Sequence, residues 1–201
     1  MIKNSFSDYF NHASYSIYFF HEKVKRNFDM KNKSSLPVPQ ITVAAMFMAM
    51  NIVLSSFSIP VPGGHLYLCD VAICTASILL DPLSAFVVGG IGSFIGDAIF
   101  YPLPMFVSLA THGLQAVVIS VFSHYVWKKH PIFASGVGVS IGAVIMVTGY
   151  TLGRAFVYST PEYAVIKLPF EVLQAAVGAV AGMFLCHKAR LKDLYQRIIE
   201  T

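Results

Sequence analysis

Charge is scarce in this chain: Asp, Glu, Lys and Arg make up only 12% of its 201 residues, against 56% hydrophobic ones. With a mean hydropathy of +0.65, it has too much apolar surface to hide in a soluble globule. Soluble enzymes and nucleic-acid binders are thereby excluded, and the net charge of +4 reads as a topology signal rather than a DNA-binding footprint. Cysteine is equally sparse. Cys69, Cys74 and Cys186 form no C-x-x-C, which argues against a disulfide framework or a structural zinc site. A secretory signal is missing too, because residues 1–38 carry Lys3, Lys23, Lys25, Arg26, Lys31 and Lys33 without an apolar run ahead of a small-residue cleavage site. Nor is there an H-E-x-x-H, a G-x-S-x-G or a Walker G-x-x-x-x-G-K-[ST], so ATP hydrolysis is not expected of this chain.

What the chain has is long apolar stretches punctuated by proline. Proline removes a backbone donor and clashes with the preceding helical turn, a defect that hydrocarbon penalises. All ten prolines are therefore expected at segment edges. A span needs about 20 residues to cross roughly 30 Å of hydrocarbon. The pattern predicts an all-α integral membrane protein with six transmembrane helices: Gln40 to Ser58, Tyr67 to Leu80, Leu83 to Phe100, Met105 to Trp127, Ile132 to Tyr158 and Leu168 to His187. The second is short, and it needs either to start inside the Gly63-Gly64 turn or to tilt. Asp81-Pro82 suits a tight link, with Asp as N-cap and Pro opening the next helix.

Basic residues near span ends stay on the cytoplasmic side. Residues 1–38, the link Lys128-Lys129-His130 and the tail with Lys188, Arg190, Lys192 and Arg197 all share one side if both termini are cytoplasmic. The loops Pro60 to Leu66, Tyr101 to Pro104 and Ser159 to Lys167 then face outward, with Lys167 their only basic residue. Three regions follow: a basic extension over 1–38, a membrane domain over 39–190 and a cytoplasmic tail over 191–201. In the extension, Phe6, Phe10, Tyr15, Tyr18, Phe19 and Phe20 suit either an interfacial amphipathic helix or a loosely ordered segment, and Met30 is a second candidate start.

Small residues recur at spacing four in Ala45/Ala49, Gly92/Gly96, Gly138/Gly142, Gly149/Gly153 and Gly178/Gly182. Each pair shares a helix face and lets another helix come close, where lipid supplies no hydrophobic drive for association. The glycine pairs read as internal packing. Ala45 and Ala49, among Met46, Phe47, Met48 and Met50, equally suit the docking of a partner helix.

Ionisable groups at membrane depth are functional-site hypotheses by default, since burying one unpaired costs several kcal/mol. Asp70, Asp97, His112, Arg154 and Glu171 all fall in the outer half of the expected topology. His65, Tyr67, Tyr101, Gln115, Tyr150, Tyr158 and Gln174 collect in the same zone. Aromatic faces and hydrogen-bonding groups around a few charges suit a small, polar, planar molecule. The plainer reading is an ion-pair network, Asp97 or Glu171 with Arg154, that only locks helices together. Weaker still are a metal site from His65, Cys69 and Asp70 or a Ser93–His112 pair, neither of which has a recognisable spacing.

The run Gly64-His65-Leu66-Tyr67-Leu68-Cys69-Asp70, then Leu80-Asp81-Pro82, then Gly89-Gly90-Ile91-Gly92-Ser93-Phe94-Ile95-Gly96-Asp97, resembles the riboflavin-transporter-like membrane subunits of energy-coupling factor (ECF) vitamin transporters. With Ala45-x-x-x-Ala49, and Gln174 followed by Gly178, the resemblance spans about residues 40–187. It implies a six-helix S component in a bacterial plasma membrane that captures a vitamin from outside. It further implies partnership with a transmembrane coupling subunit, met by Ala45 and Ala49, and with two cytoplasmic ATPases that would hold ATP and Mg; no cofactor is implied in this chain. The family pocket lies between the first outer loop and the outer ends of the later helices. Cys69 stands where the family often has Gly, Asp81 where it often has Gly before Pro, and His112 where Lys is common, which weakens the case for an anionic substrate. Subunits of the hydroxymethylpyrimidine or pyridoxine kind look closest. On this reading Tyr67, Tyr101 and Tyr150 stack or offer hydroxyls. Asp70, Asp97, His112, Glu171 and Gln174 hydrogen-bond, with His65 and Gln115 beside them, and Arg154 contacts the ligand or acts as counter-ion. The rivals are a proton-coupled secondary transporter relaying through Asp97 or Glu171, and an intramembrane enzyme using His65, Asp70 or His112.

Overall fold

Apolar segments in hydrocarbon must satisfy their backbone internally, and all but one of the expected spans fold as long helices. The computed structural model describes residues 38–127 and 129–200, so the expected N-terminal helix, Met30 and Lys128 lie outside the described residues. Seven helices and one hairpin follow in order: α1 (Val38–Ser56), β1 (Ser58–Val61), β2 (Gly64–Tyr67), α2 (Cys69–Leu79), α3 (Pro82–Phe100), α4 (Met105–Tyr125), α5 (Pro131–Tyr158), α6 (Pro161–Lys188) and α7 (Leu191–Glu200). Five of them, α1 and α3 to α6, are long and apolar enough to cross a membrane.

The expected second span differs. Residues Ser58 to Tyr67 pair as an antiparallel hairpin, so the segment expected as the first outer loop is a two-stranded ribbon in a mostly helical fold. Pro62-Gly63 forms its corner, with Gly63 at φ +83°, a region where glycine alone is unstrained. The hairpin takes Tyr67 from the helix and leaves α2 only 11 residues, about 16 Å by helical rise. By itself that length falls short of the roughly 30 Å of hydrocarbon. Ten of its residues, Cys69, Asp70 and Ala72 to Leu79, are buried. A helix apolar on all sides belongs inside a bundle, and α2 packs against α1, α4 and α6 as its central post.

Asp81 turns the chain sharply after α2. Its carboxylate accepts from the backbone N–H groups of Leu83 and Ser84, capping α3, and Pro82 occupies the first turn where its missing N–H costs nothing. Proline is a less faithful boundary elsewhere. Pro169 sits inside α6, which begins eight residues earlier at Pro161 and runs on to Lys188. Membrane helices tolerate such a break where neighbouring groups take up the freed carbonyl. The tail also differs from an unstructured end: Leu191, Leu194, Tyr195 and Ile198 recur at helical spacing, and α7 lays Leu191 and Tyr195 against the core.

The glycine pairs are internal contacts. A methyl group at Gly178 would lie 2.5 Å from Asp70 Cβ, and one at Gly182 2.8 Å from Cys74 Cβ, so α6 seats α2 through its glycines. Gly138 and Gly142 admit Phe122 and Ile119 of α4, Gly149 and Gly153 admit Thr111 and Val107, and Gly92 and Gly96 face Asn51 and Ser55 of α1. Near Val87–Ile91 the α3 backbone widens to a π turn, and Asn51 Nδ2 donates to the Val88 carbonyl at 2.8 Å. Ala45 and Ala49 are exposed on α1, together with Ile41, Met46 and Val53.

Candidate functional site

At the end of the bundle that carries the hairpin, a narrow cavity of about 30 Å³ opens between β2, α3, α4, α5 and α6. Of the residues expected there, His65, Tyr67, Asp97, Tyr101, His112, Tyr150, Arg154, Glu171 and Gln174 line it, as does Tyr158. Asp70 and Gln115 stand behind this wall. Asp70, at the start of α2, accepts from Gln115 Nε2 at 3.1 Å and from Gln174 Nε2 at 2.6 Å, so each carboxylate oxygen meets an amide donor. Gln174 in turn accepts the Tyr67 backbone N–H at 2.9 Å, tying the hairpin to α6.

The same network orients His112. Gln115 donates through its nitrogen to Asp70, so its Oε1 faces His112 Nδ1 at 2.7 Å, and that nitrogen must carry the proton. The His112 ring lies 5.2 Å from the Tyr150 ring. Asp97 accepts from the Ser108 hydroxyl, and Ser108 also meets the Tyr150 hydroxyl at 2.6 Å. Burial first, and then the carboxylate of Asp97, push the Tyr67 phenol up, so it is a standing donor at any physiological pH.

A second cluster sits beside the first. Lys167 Nζ donates to Glu171 Oε1 at 2.9 Å, and Arg154 Nη2 approaches the same oxygen at 3.4 Å. Arg154 Nη1 also donates to the Gly63 carbonyl at 2.9 Å, and its guanidinium lies 5.3 Å from the Tyr158 ring centre. The pairing expected for Arg154 is thus with Glu171. Arg154 opens the π turn Arg154–Tyr158, a widened turn of the kind that recurs at functional sites. Arg154 Nε and the Tyr158 hydroxyl have no hydrogen-bond partner, though both residues line the cavity.

Lys167 was not anticipated as a site residue. It is 2% exposed and lines the cavity, although in sequence it sits in an outer loop. The signal was its spacing of four from Glu171, hidden because Pro169 suggested that no helix joined them. Gly64 and Pro104 complete the lining without a polar side chain to mark them. Cys69, Asp70 and His112, rather than His65, bring one potential ligand atom each within 4.8 Å of one another. Both Asp70 oxygens are already held by amides, so the cluster is satisfied as it stands. Ser93 and His112 form no pair. Ser93 accepts from Asn51, while His112 turns to Gln115.

Five long apolar helices define a multi-pass membrane protein, and four of them, α3 to α6, enclose with the hairpin an acid-, base- and phenol-lined cavity at one end. The chain belongs to the ECF-type riboflavin transporter S component family, whose model matches residues 35–191. The family is one of vitamin-transporter S components, not an enzyme family, and membership implies ECF coupling and ATPase partners. The chain is also 29% identical over 136 residues to a Pyrococcus woesei protein described as "Uncharacterized protein in gap 3'region", covering 67% of this chain and 89% of that one.

Proposed function

We propose that this S component captures a small, planar, water-soluble vitamin or precursor of the hydroxymethylpyrimidine or vitamin B6 kind from outside the cell and presents it for ATP-driven uptake. The cavity is the observation that carries this reading. Its carboxylate on Asp97, imidazole on His112 and guanidinium on Arg154 match a ligand with both donors and acceptors, and Tyr67, Tyr101 and Tyr150 offer rings against a planar face. Asp70, Gln115 and Gln174 hold those groups in place, and Glu171 balances Arg154 and Lys167. Both termini lie on the cytoplasmic side of a bacterial plasma membrane, as the basic residues support, and α2 counts as a sixth, buried and shortened, membrane segment. Ala45 and Ala49 form the docking face for the coupling subunit, and ATP and Mg act in the two ATPases.

The test is mass spectrometry of small molecules that co-purify with the detergent-solubilised protein, followed by titration with hydroxymethylpyrimidine, pyridoxine and riboflavin. Binding is expected at nanomolar to micromolar levels, roughly −8 to −12 kcal/mol. Proteoliposomes should accumulate the vitamin only when the coupling subunit and ATPases are present with ATP. Uptake by this chain alone that collapses with the proton gradient would overturn the proposal in favour of a secondary transporter.

A further inference from the structure

A second cleft, of about 330 Å³, lies at the opposite end of the bundle, where Leu79 of α2, Ser123 and His124 of α4, Pro131 of α5, and Lys192, Tyr195 and Gln196 of α7 meet. Lys192 is the one charged residue in its lining, which favours a negative guest. Two helices of full length begin at its edge, α5 at Pro131 and α7 at Leu191, and the first N–H groups of each have no partner within the helix. His130 supplies no side-chain cap to α5. Helix starts carry partial positive charge, and two of them with the Lys192 ammonium make a concave cationic corner.

Ser123 is the independent sign that a ligand belongs here. It is 8% exposed, lines the cleft, and its hydroxyl has no hydrogen-bond partner, an arrangement that costs free energy unless something fills it. His124 Nδ1 faces the Ser120 carbonyl at 3.0 Å, which leaves Nε2 free. Burial, and then Asp81, push the Tyr195 phenol up to about 12, so its hydroxyl is a donor at neutral pH. The nearby acids do not fill the corner: Asp81 is engaged by Gln40 and the α3 cap, and Asp193 is exposed and does not line the cleft.

We infer that this cleft binds a phosphate group, held by Lys192, Ser123 and the helix starts of α5 and α7. The Leu194 and Ile198 side chains, exposed on α7 beside the cleft, make a phospholipid headgroup the favoured bearer, since α7 then lies in the membrane interface with its apolar flank toward the acyl chains.

Trp127, the chain's one tryptophan, stacks on Phe133 at 5.3 Å, within two residues of Pro131, and reports on the cleft. Purified full-length protein is titrated with dihexanoyl phosphatidate, with dihexanoylglycerol and with inorganic phosphate, following Trp127 fluorescence. Saturable binding of phosphatidate, absent with the neutral lipid, is expected. It should weaken about tenfold in Lys192→Gln and about threefold in Ser123→Ala, while both variants keep vitamin binding at the outer cavity. Inorganic phosphate binding as tightly as phosphatidate supports the site and makes free phosphate its source. Equal response to neutral lipid, no response to any phosphate, or unchanged affinity in both variants overturns the inference and leaves the cleft to a protein partner. The neutral-lipid comparison on the unaltered protein decides the matter even if a variant fails to fold.

Discussion

The two halves of the bundle are built from the same helices but solve opposite problems. Toward the hairpin, Asp97, His112, Arg154, Lys167 and Glu171 line a narrow cavity with Asp70 behind them; away from it, Val43, Phe47, Ile78, Leu79, Leu80 and Ile119 pack the interior. The central helix shows the contrast within 11 residues, beginning at a doubly bonded Asp70 and ending among Ile78 and Leu79. Apolar side chains interdigitate without regard to direction. Buried charges need partners at fixed angles. The difference is therefore between an interior held by close packing and one held by directed bonds between polar groups.

The largest effect should come from breaking the contact that both halves share. Gly178→Val pushes side-chain atoms into Asp70, 2.5 Å from where even a methyl would stand, and is expected to abolish a monodisperse folded protein on size-exclusion chromatography. Gly136→Ala, whose nearest neighbour would be Met183 at 3.8 Å, should leave the elution profile unchanged. Next is Glu171→Ala, which strands Lys167 and Arg154 as buried cations at a cost of about 3–5 kcal/mol. Thermal unfolding in detergent should show a clear drop, whereas Lys167→Met with Glu171→Leu should recover part of it, Arg154 still lacking its carboxylate. A recovery that fails would mean the pair does more than neutralise itself.

A smaller effect is expected where charge serves the ligand. Asp97→Asn replaces a charge-assisted hydrogen bond worth about 1.5–3 kcal/mol, so vitamin affinity in a calorimetric titration should fall roughly 10- to 150-fold. Its melting temperature should change little, because Ser108 can still donate to an amide oxygen. The smallest effect on the isolated protein belongs to Ala45→Trp with Ala49→Trp, on an exposed face. Stability and vitamin binding should be unaltered while ATP-driven uptake with the partner subunits is lost. Retained uptake would remove Ala45 and Ala49 from the docking face.

Much of the architecture could be read from local pattern. Long apolar runs become long helices because hydrocarbon allows little else, and Asp81-Pro82 caps α3 because a carboxylate and a ring-locked φ suit a helix start in any surroundings. Pro169 misled for a matching reason. Its local cost is real, yet the flanking turns of α6 carry the helix through it, and with the boundary went the Lys167–Glu171 spacing. The hairpin was equally hidden. Ile59, Val61, Leu66 and Tyr67 lie in an ordinary-looking proline loop until their pairing across Pro62-Gly63 makes a ribbon.

The candidate site divides the same way. That Asp70, Asp97, His112, Arg154 and Glu171 belong to one end follows from counting residues along helices of known rise. Whether each faces the cavity or stands behind it does not, since a helix turns 100° per residue and an error of one position changes the wall it joins.

The amino-acid order by itself determined that this chain lives in a membrane, where its long helices lie and which end holds the charges, because hydropathy and helical rise act residue by residue. Only the tertiary structure decided that α2 is a buried post rather than a lipid-facing span, that Lys167 is an interior cation, and that Gln115 dictates the proton on His112. Those outcomes depend on distances between segments far apart in the chain, where a hydrogen bond or a close glycine contact exists only once two helices have met.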